Sequence, residues 1–119
     1  MTDTTEPRRT ALINLFHGDG RHDFRIKYDE LIELQEKLEE GPLRTLMKFE
    51  SGDWSPQSVY EIVRLGMIGA GKTPAEAYSH AQRYVVQRPI AESAPVAAAV
   101  MSAALMGAPP QEAEVATNG

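Results

Sequence analysis

Between Ala11 and Gly41 the chain reads ALINLFHGDGRHDFRIKYDELIELQEKLEEG, and this stretch limits the fold more than any other. Asp19-Gly20 lies between two runs of alternating apolar residues. A two-residue type I′ turn needs positive φ at both central positions, which Asp-Gly supplies with little strain. With Asp19 and Gly20 at the tip, Leu15 falls opposite Phe24, Ile13 opposite Ile26, and Ala11 opposite Tyr28. Side chains alternate along a strand, so these residues share one apolar face. Phe16 with Asp23, Asn14 with Arg25 and Leu12 with Lys27 make the other, mixed face. The spacing predicts a β-hairpin over about residues 11–28.

Helical periodicity takes over at once. Leu31, Leu34 and Leu38, with Ile32 beside them, predict an amphipathic helix over about 29–40. Its remaining positions hold six acids, Asp29, Glu30, Glu33, Glu36, Glu39 and Glu40, against Lys37. That accounts for the whole chain's formal net charge of −5, so the rest is nearly balanced. A solvated acidic face is the simplest reading. Gly41-Pro42 is expected to end this helix, Gly at C′, and to start a short one over 42–50 with Leu43, Leu46, Met47 and Phe49 inward. Ser55-Pro56 is a strong helix start, with Trp54 placed to close over Val59, and predicts a helix over 56–70. Its inner stripe is Val59, Ile62, Val63 and Met67, with Gly66 and Ala70. Thr73-Pro74-Ala75-Glu76 is a capping-box start for a helix over 74–88, whose inner face is Ala77, Ala81, Tyr84 and Val85. A last helix over 91–106 contains the uncharged run APVAAAVMSAALM, which is too short to span a membrane and must be buried in its own domain or in a partner.

The expected fold class is therefore α+β: an N-terminal hairpin and four to five helices in one domain over 10–107. Residues 1–9 and 108–119 are polar or Pro-rich, and disordered ends are expected there. The polar N-terminus leads us to expect no signal peptide or anchor. The chain has no cysteine, which removes disulfides and thiolate chemistry and fits a reducing cytoplasm. An acidic balance, pI ≈ 5.1, argues against a nucleic-acid or anionic-membrane binder.

Four patterns invite a functional reading. Gly66-Met67-Ile68-Gly69-Ala70-Gly71-Lys72-Thr73 matches the P-loop spacing G-x-x-x-x-G-K-[ST]. A P-loop follows a buried strand, however, and SVYEIVRLGMI repeats at helical spacing, so a helix end, a loop and a capped helix start are expected. A small nucleotide-binding protein is the distant alternative. His17, Asp19, His22 and Asp23 crowd the hairpin tip, with His17 opposite His22 in the register above. A weak surface metal site is sterically possible there, but polar turn residues are the expected reading. His80 is expected on an exposed helix face. The helix-loop-helix over 56–88 has too few cations around Lys72, Arg83 and Arg88 to read DNA. No nucleophile elbow, zinc-protease helix or acid pair is visible, so no enzyme activity, cofactor or metal is expected.

The ordered set of signals is similar to a known family. It runs from the Asp-Gly hairpin through Tyr28-x-x-Leu31-x-x-Leu34, Gly41-Pro42 and Phe49-x-x-Gly52-x-Trp54. It continues with Val59-x-x-Ile62-x-Arg64-Leu65-Gly66, Gly69-Ala70-Gly71, Ala75-Glu76-Ala77 and Arg88-Pro89-Ile90, and ends with the Ala-rich helix at Gly107. Over about 11–107 it resembles the small gene-transfer-agent and siphophage tail proteins of α-proteobacteria. Lys72-Thr73 departs from the family pattern. The resemblance implies a non-enzymatic tail assembly chaperone, cytoplasmic in the bacterial host, that holds the tape measure protein and helps the tail tube protein assemble. The alternative is a structural tail tube or minor tail subunit carried in the virion. A holder of an aggregation-prone helical partner needs a shared apolar surface. Val96, Val100, Met101, Leu105 and Met106 are the candidates on the last helix. Leu12 and Phe16 on the mixed hairpin face are candidates for self-association into a homo-oligomer through a strand edge.

Overall fold

The computed structural model describes residues 10–110. In chain order they form β1 (Ile13–His17), β2 (Gly20–Phe24), α1 (Tyr28–Leu38), α2 (Pro42–Ser51), α3 (Pro56–Gly69), α4 (Pro74–Ala81) and α5 (Ala94–Met106). A π-helical turn, Gln82–Val86, continues α4, and a 3-10 turn, Ile90–Glu92, leads into α5. The α+β class and the order of hairpin then five helices are as the sequence predicts. The ends expected to be disordered lie outside the described residues, apart from 108–110. No helix among the described residues is long and apolar enough to cross a membrane.

The hairpin turns one residue earlier than the Asp19-Gly20 signal predicts. Its loop is Gly18-Asp19, and the pairs are His17 with Gly20, Leu15 with His22 and Ile13 with Phe24. Gly18 has φ +71°, whereas neither Asp19 nor Gly20 is left-handed. Glycine at the first central position alone is the type II′ pattern. The pairing is thus displaced by two residues, and because side chains alternate with period two the faces survive. Ile13, Leu15, Phe24 and Ile26 still share a side, and His17 and His22 remain on it. The cause is tertiary. A Cβ on Gly18 would sit 2.5–2.8 Å from atoms of the Tyr84 ring, so only glycine fits where the tip meets the extension of α4.

Helix α3 is the element the rest packs on, touching β2, α1, α4 and α5. Its start is as expected: the Ser55 hydroxyl accepts from Ser58 N–H, with Pro56 at the first turn. Trp54 stacks on Phe49, ring centroids 6.3 Å apart. Val59, Ile62, Val63, Leu65 and Met67 are buried. Gly66 and Gly69 let the chain leaving β2 lie directly on α3: Arg25 N–H donates to the Gly66 carbonyl at 2.8 Å and Arg25 Nε to the Gly69 carbonyl at 3.1 Å. A Cβ on Gly69 would overlap the Arg25 carbonyl oxygen.

Two local expectations are corrected. The acidic helix ends at Leu38, and Glu39, not Gly41, takes the left-handed cap position with φ 56°. Gly41 is instead extended, φ −68° and ψ 146°, as the N-cap of α2. The residue before a proline is driven out of helical conformations toward extended ones, and Pro42 does this to Gly41. Within α2, Thr45, Leu46 and Phe49 turn inward, while Leu43 and Met47 face solvent. Helix α5 buries Ala94, Ala97, Val100, Met101 and Ala103 against α2 and α3. Its lack of charge follows from that burial.

Candidate functional site

The hairpin tip, α4 and the segment entering α5 converge on a cluster of three histidines. His17 closes β1, His22 lies on β2 and His80 is in the last turn of α4. Placing His17 on the inner face of the hairpin buries it, and His80 is buried as well. His17 Nδ1 is 2.8 Å from His80 Nε2, and His17 Nε2 is 2.8 Å from the hydroxyl of fully buried Ser93. That hydroxyl donates to the Tyr84 carbonyl at 3.3 Å. A serine hydroxyl has one proton, so this bond fixes the direction of the chain. His17 Nε2–H donates to Ser93 Oγ, His17 Nδ1 accepts from His80 Nε2–H, and the Nδ1 of His80 keeps its lone pair.

His22 packs edge-on against His80, ring centroids 4.6 Å apart, and its Nε2 lies 2.7 Å from Asp19 Oδ1. Tyr84 tilts against His80 at 4.8 Å on one side and receives Arg88 over its ring at 5.2 Å. Burial, then His17 and His22, push the His80 pKa down to about 4. Burial, followed by His22 and Arg88, also lowers His17. The hydrogen bond from His22 holds the Asp19 carboxyl below its ordinary value. Asp19, His22 and His80 each present a ligand atom within 4.8 Å of the others. They line a cleft of about 450 Å³ shared with Met67, Lys72 and Glu76.

The sequence-level view of the tip is therefore corrected in two places. His17 is not paired with His22 but buried behind it, and His80 is not an exposed helix residue. Asp23 leaves the group altogether, accepting from the Asn14 amide at 2.8 Å on the opposite face. No sequence pattern connects Ser93 and Tyr84 with the histidines. A signal existed for His80: Ala77, His80, Ala81 and Tyr84 follow helical spacing on one face, and the first and third are core residues.

The P-loop-like segment is built as the helical periodicity predicts. Gly66 and Gly69 lie inside α3, Gly71 is left-handed at φ +116°, and Thr73 caps α4. The Thr73 hydroxyl accepts from Glu76 N–H at 3.1 Å and the Glu76 carboxylate from Thr73 N–H at 2.9 Å. A helix occupies the place of the strand that a phosphate-binding loop requires.

The apolar candidates divide. Val100 and Met101 are 0% exposed in the domain's own core and are not available to a partner. Val96 and Leu105 are half-buried against that core, and Met106 is exposed at the end of α5. On the outer hairpin face Phe16 is 63% exposed and Leu12 37%. Leu43 and Met47, one turn apart on α2, add an exposed apolar pair where the sequence spacing predicts inward positions.

Compared with known families, residues 10–107 match the model described as phage tail tube protein, GTA-gp10. No curated protein and no solved structure matches the chain.

Proposed function

The chain belongs to the GTA-gp10 phage tail tube family, and from that membership we propose that it is a non-enzymatic structural subunit of the tail tube. The observation that carries this reading is the family match, which spans nearly all the described residues. The outer hairpin face supports it, with Phe16 exposed beside the polar network of Arg21, Asn14 and Asp23. A two-stranded sheet also leaves strand edges able to pair with another copy or another tail protein. Burial of Phe16 and Leu12 between subunits would place apolar anchors at the centre of a polar rim, the usual anatomy of a stable contact.

A second reading, an assembly chaperone that holds the tape measure protein, is favoured by one feature. Among the described residues the sheet stops at two strands, little for a tube wall built by sheet extension. In that case the helix-facing surface is the Leu43 and Met47 pair with Met106, because the inner residues of α5 are committed to the core. Quantitative mass spectrometry of purified particles separates the two. A tube subunit is present in many copies per particle. Absence from particles, combined with co-purification with the tape measure protein from producing cells, replaces the first reading by the second.

A further inference from the structure

We propose that Asp19, His22 and His80 form a binding site for a first-row divalent transition metal of the Zn²⁺ type, which locks the hairpin tip to α4. The three come from separate elements, the turn, β2 and α4, yet their ligand atoms converge to within 4.8 Å of one another. In a tetrahedral zinc site with bonds of about 2.0–2.1 Å, ligand atoms stand roughly 3.4 Å apart. Separations of up to 4.8 Å must therefore close by about 1.4 Å, and the Asp19–His22 pair must open by roughly 0.7 Å. Asp19 Oδ1 and His22 Nε2 are already 2.7 Å apart, so the adjustment falls on side chains at the partly open edge of the cleft.

A second observation distinguishes this triad from a chance meeting of polar turn residues. Metal-bound histidine almost always donates its other ring N–H to a fixed acceptor, which sets the tautomer and aims the lone pair. His80 has that arrangement. Its Nε2–H is held by His17 Nδ1, His17 is held by Ser93, and Ser93 by the Tyr84 carbonyl. The buried relay leaves His80 Nδ1 as the atom able to coordinate. His17 is thus a positioning residue, and its burial serves the orientation of His80. Two imidazoles and one carboxylate suit zinc and its neighbours rather than the oxygen-loving Mg²⁺ or Ca²⁺. On binding, the His22 ring changes tautomer, its proton moving from Nε2 to Nδ1 so that the Nε2 lone pair faces the metal, and water completes the coordination. This departs from the expectation, drawn from the sequence, that the chain holds no metal.

The test uses the full chain after chelator treatment, titrated with ZnCl₂ in a calorimeter at pH 7.5. One equivalent with a Kd below about 10 µM is expected, together with a higher melting temperature, since a ligand that binds only the folded state stabilises it. Asp19→Asn and His22→Gln change partly exposed side chains and should leave the circular dichroism spectrum intact while weakening Zn²⁺ binding tenfold or more. Cobalt substitution should give the intense visible absorption of a four-coordinate site. Absence of binding at 100 µM overturns the proposal. So does binding unchanged in both variants, or a weak multi-site isotherm of the kind the acidic face of α1 would produce.

Discussion

Replacing Gly18 by alanine tests the hairpin register and its tertiary cause together. Gly18 has φ +71°, and an L residue in the left-handed region loses about 1–2 kcal/mol. The added Cβ would also stand 2.5–2.8 Å from Tyr84 ring atoms, and relieving such an overlap in a packed site costs roughly 1–3 kcal/mol more. The expected loss is about 2–5 kcal/mol, a large share of the ~5–15 kcal/mol that holds a domain of this size together. Gly20→Ala is the internal control. Gly20 is extended and a Cβ there meets nothing within 4 Å, so the substitution should be neutral or stabilise by up to ~1 kcal/mol through the unfolded chain. Urea melts followed by circular dichroism give both values. A Tyr84→Ala background should reduce the Gly18→Ala loss, because the ring it collides with is gone. If Gly20→Ala proves the costlier change, the turn is Asp19-Gly20 after all and the argument from Tyr84 fails.

The same geometry sets other expected outcomes. Mg-ATP should give no binding heat in calorimetry, and Lys72→Ala should change stability by less than ~0.5 kcal/mol, since Lys72 lies in an exposed loop between two helices. Stability should fall as pH drops from 6.5 toward 4: His80, held near 4 when folded but ordinary when unfolded, takes up its proton preferentially in the unfolded chain. That shift corresponds to roughly 3 kcal/mol, with lowered His17 adding to it, and urea melts at pH 7.5 and 4.5 measure the sum. His22, Arg88 and Lys72 reinforce the effect, and Asp19 and Glu92 oppose it. Met101→Glu should unfold the domain, because an unpaired carboxylate in a fully buried position costs several kcal/mol. Phe16→Glu should leave the melt unchanged yet reduce incorporation into particles at least several-fold, read by mass spectrometry.

Much of the fold was legible because local signals agreed with one another. Ser55-Pro56 and Thr73-Pro74-Ala75-Glu76 cap helices at the expected positions, and both capping pairs are formed. The stripe Val59, Ile62, Val63 and Met67 is buried as its spacing implies. The inner face of the hairpin survives a wrong turn position because a displacement of two residues preserves the alternation. Choices between neighbouring local solutions were the ones that failed. Asp19-Gly20 and Gly18-Asp19 both make good two-residue turns, and only the Tyr84 ring, more than sixty positions away, decides between them. Leu43 and Met47 share helical spacing with Leu46 well enough to be read inward, yet the partners of α2 cover only its Thr45, Leu46 and Phe49 side.

The histidine cluster shows most sharply where sequence reasoning stops. Proximity of His17 and His22 in the chain suggests one pair at an exposed tip, and the turn shift moves them out of register, leaving His17 buried and His22 nearer the edge of the same face. Their common neighbour, His80, lies across the domain in sequence, and Ser93 lies further still. None of the four residues Asp19, His22, His17 and His80 is unusual in composition or spacing. Their arrangement depends on Gly18 bringing the tip against Tyr84, which sits in the π-helical turn that continues α4. Such a turn inserts a residue into the helix and rotates the residues beyond it, a feature often found next to functional sites. Within this turn the Tyr84 carbonyl accepts from Ser93, whose hydroxyl sets the tautomer of His17 and, through it, the free lone pair of His80. One glycine that packing requires and one irregular turn therefore convert three scattered histidines into a directed set. Gly18→Ala should accordingly weaken Zn²⁺ binding as well as stability, whereas Gly20→Ala should leave Zn²⁺ binding unchanged and not lower stability.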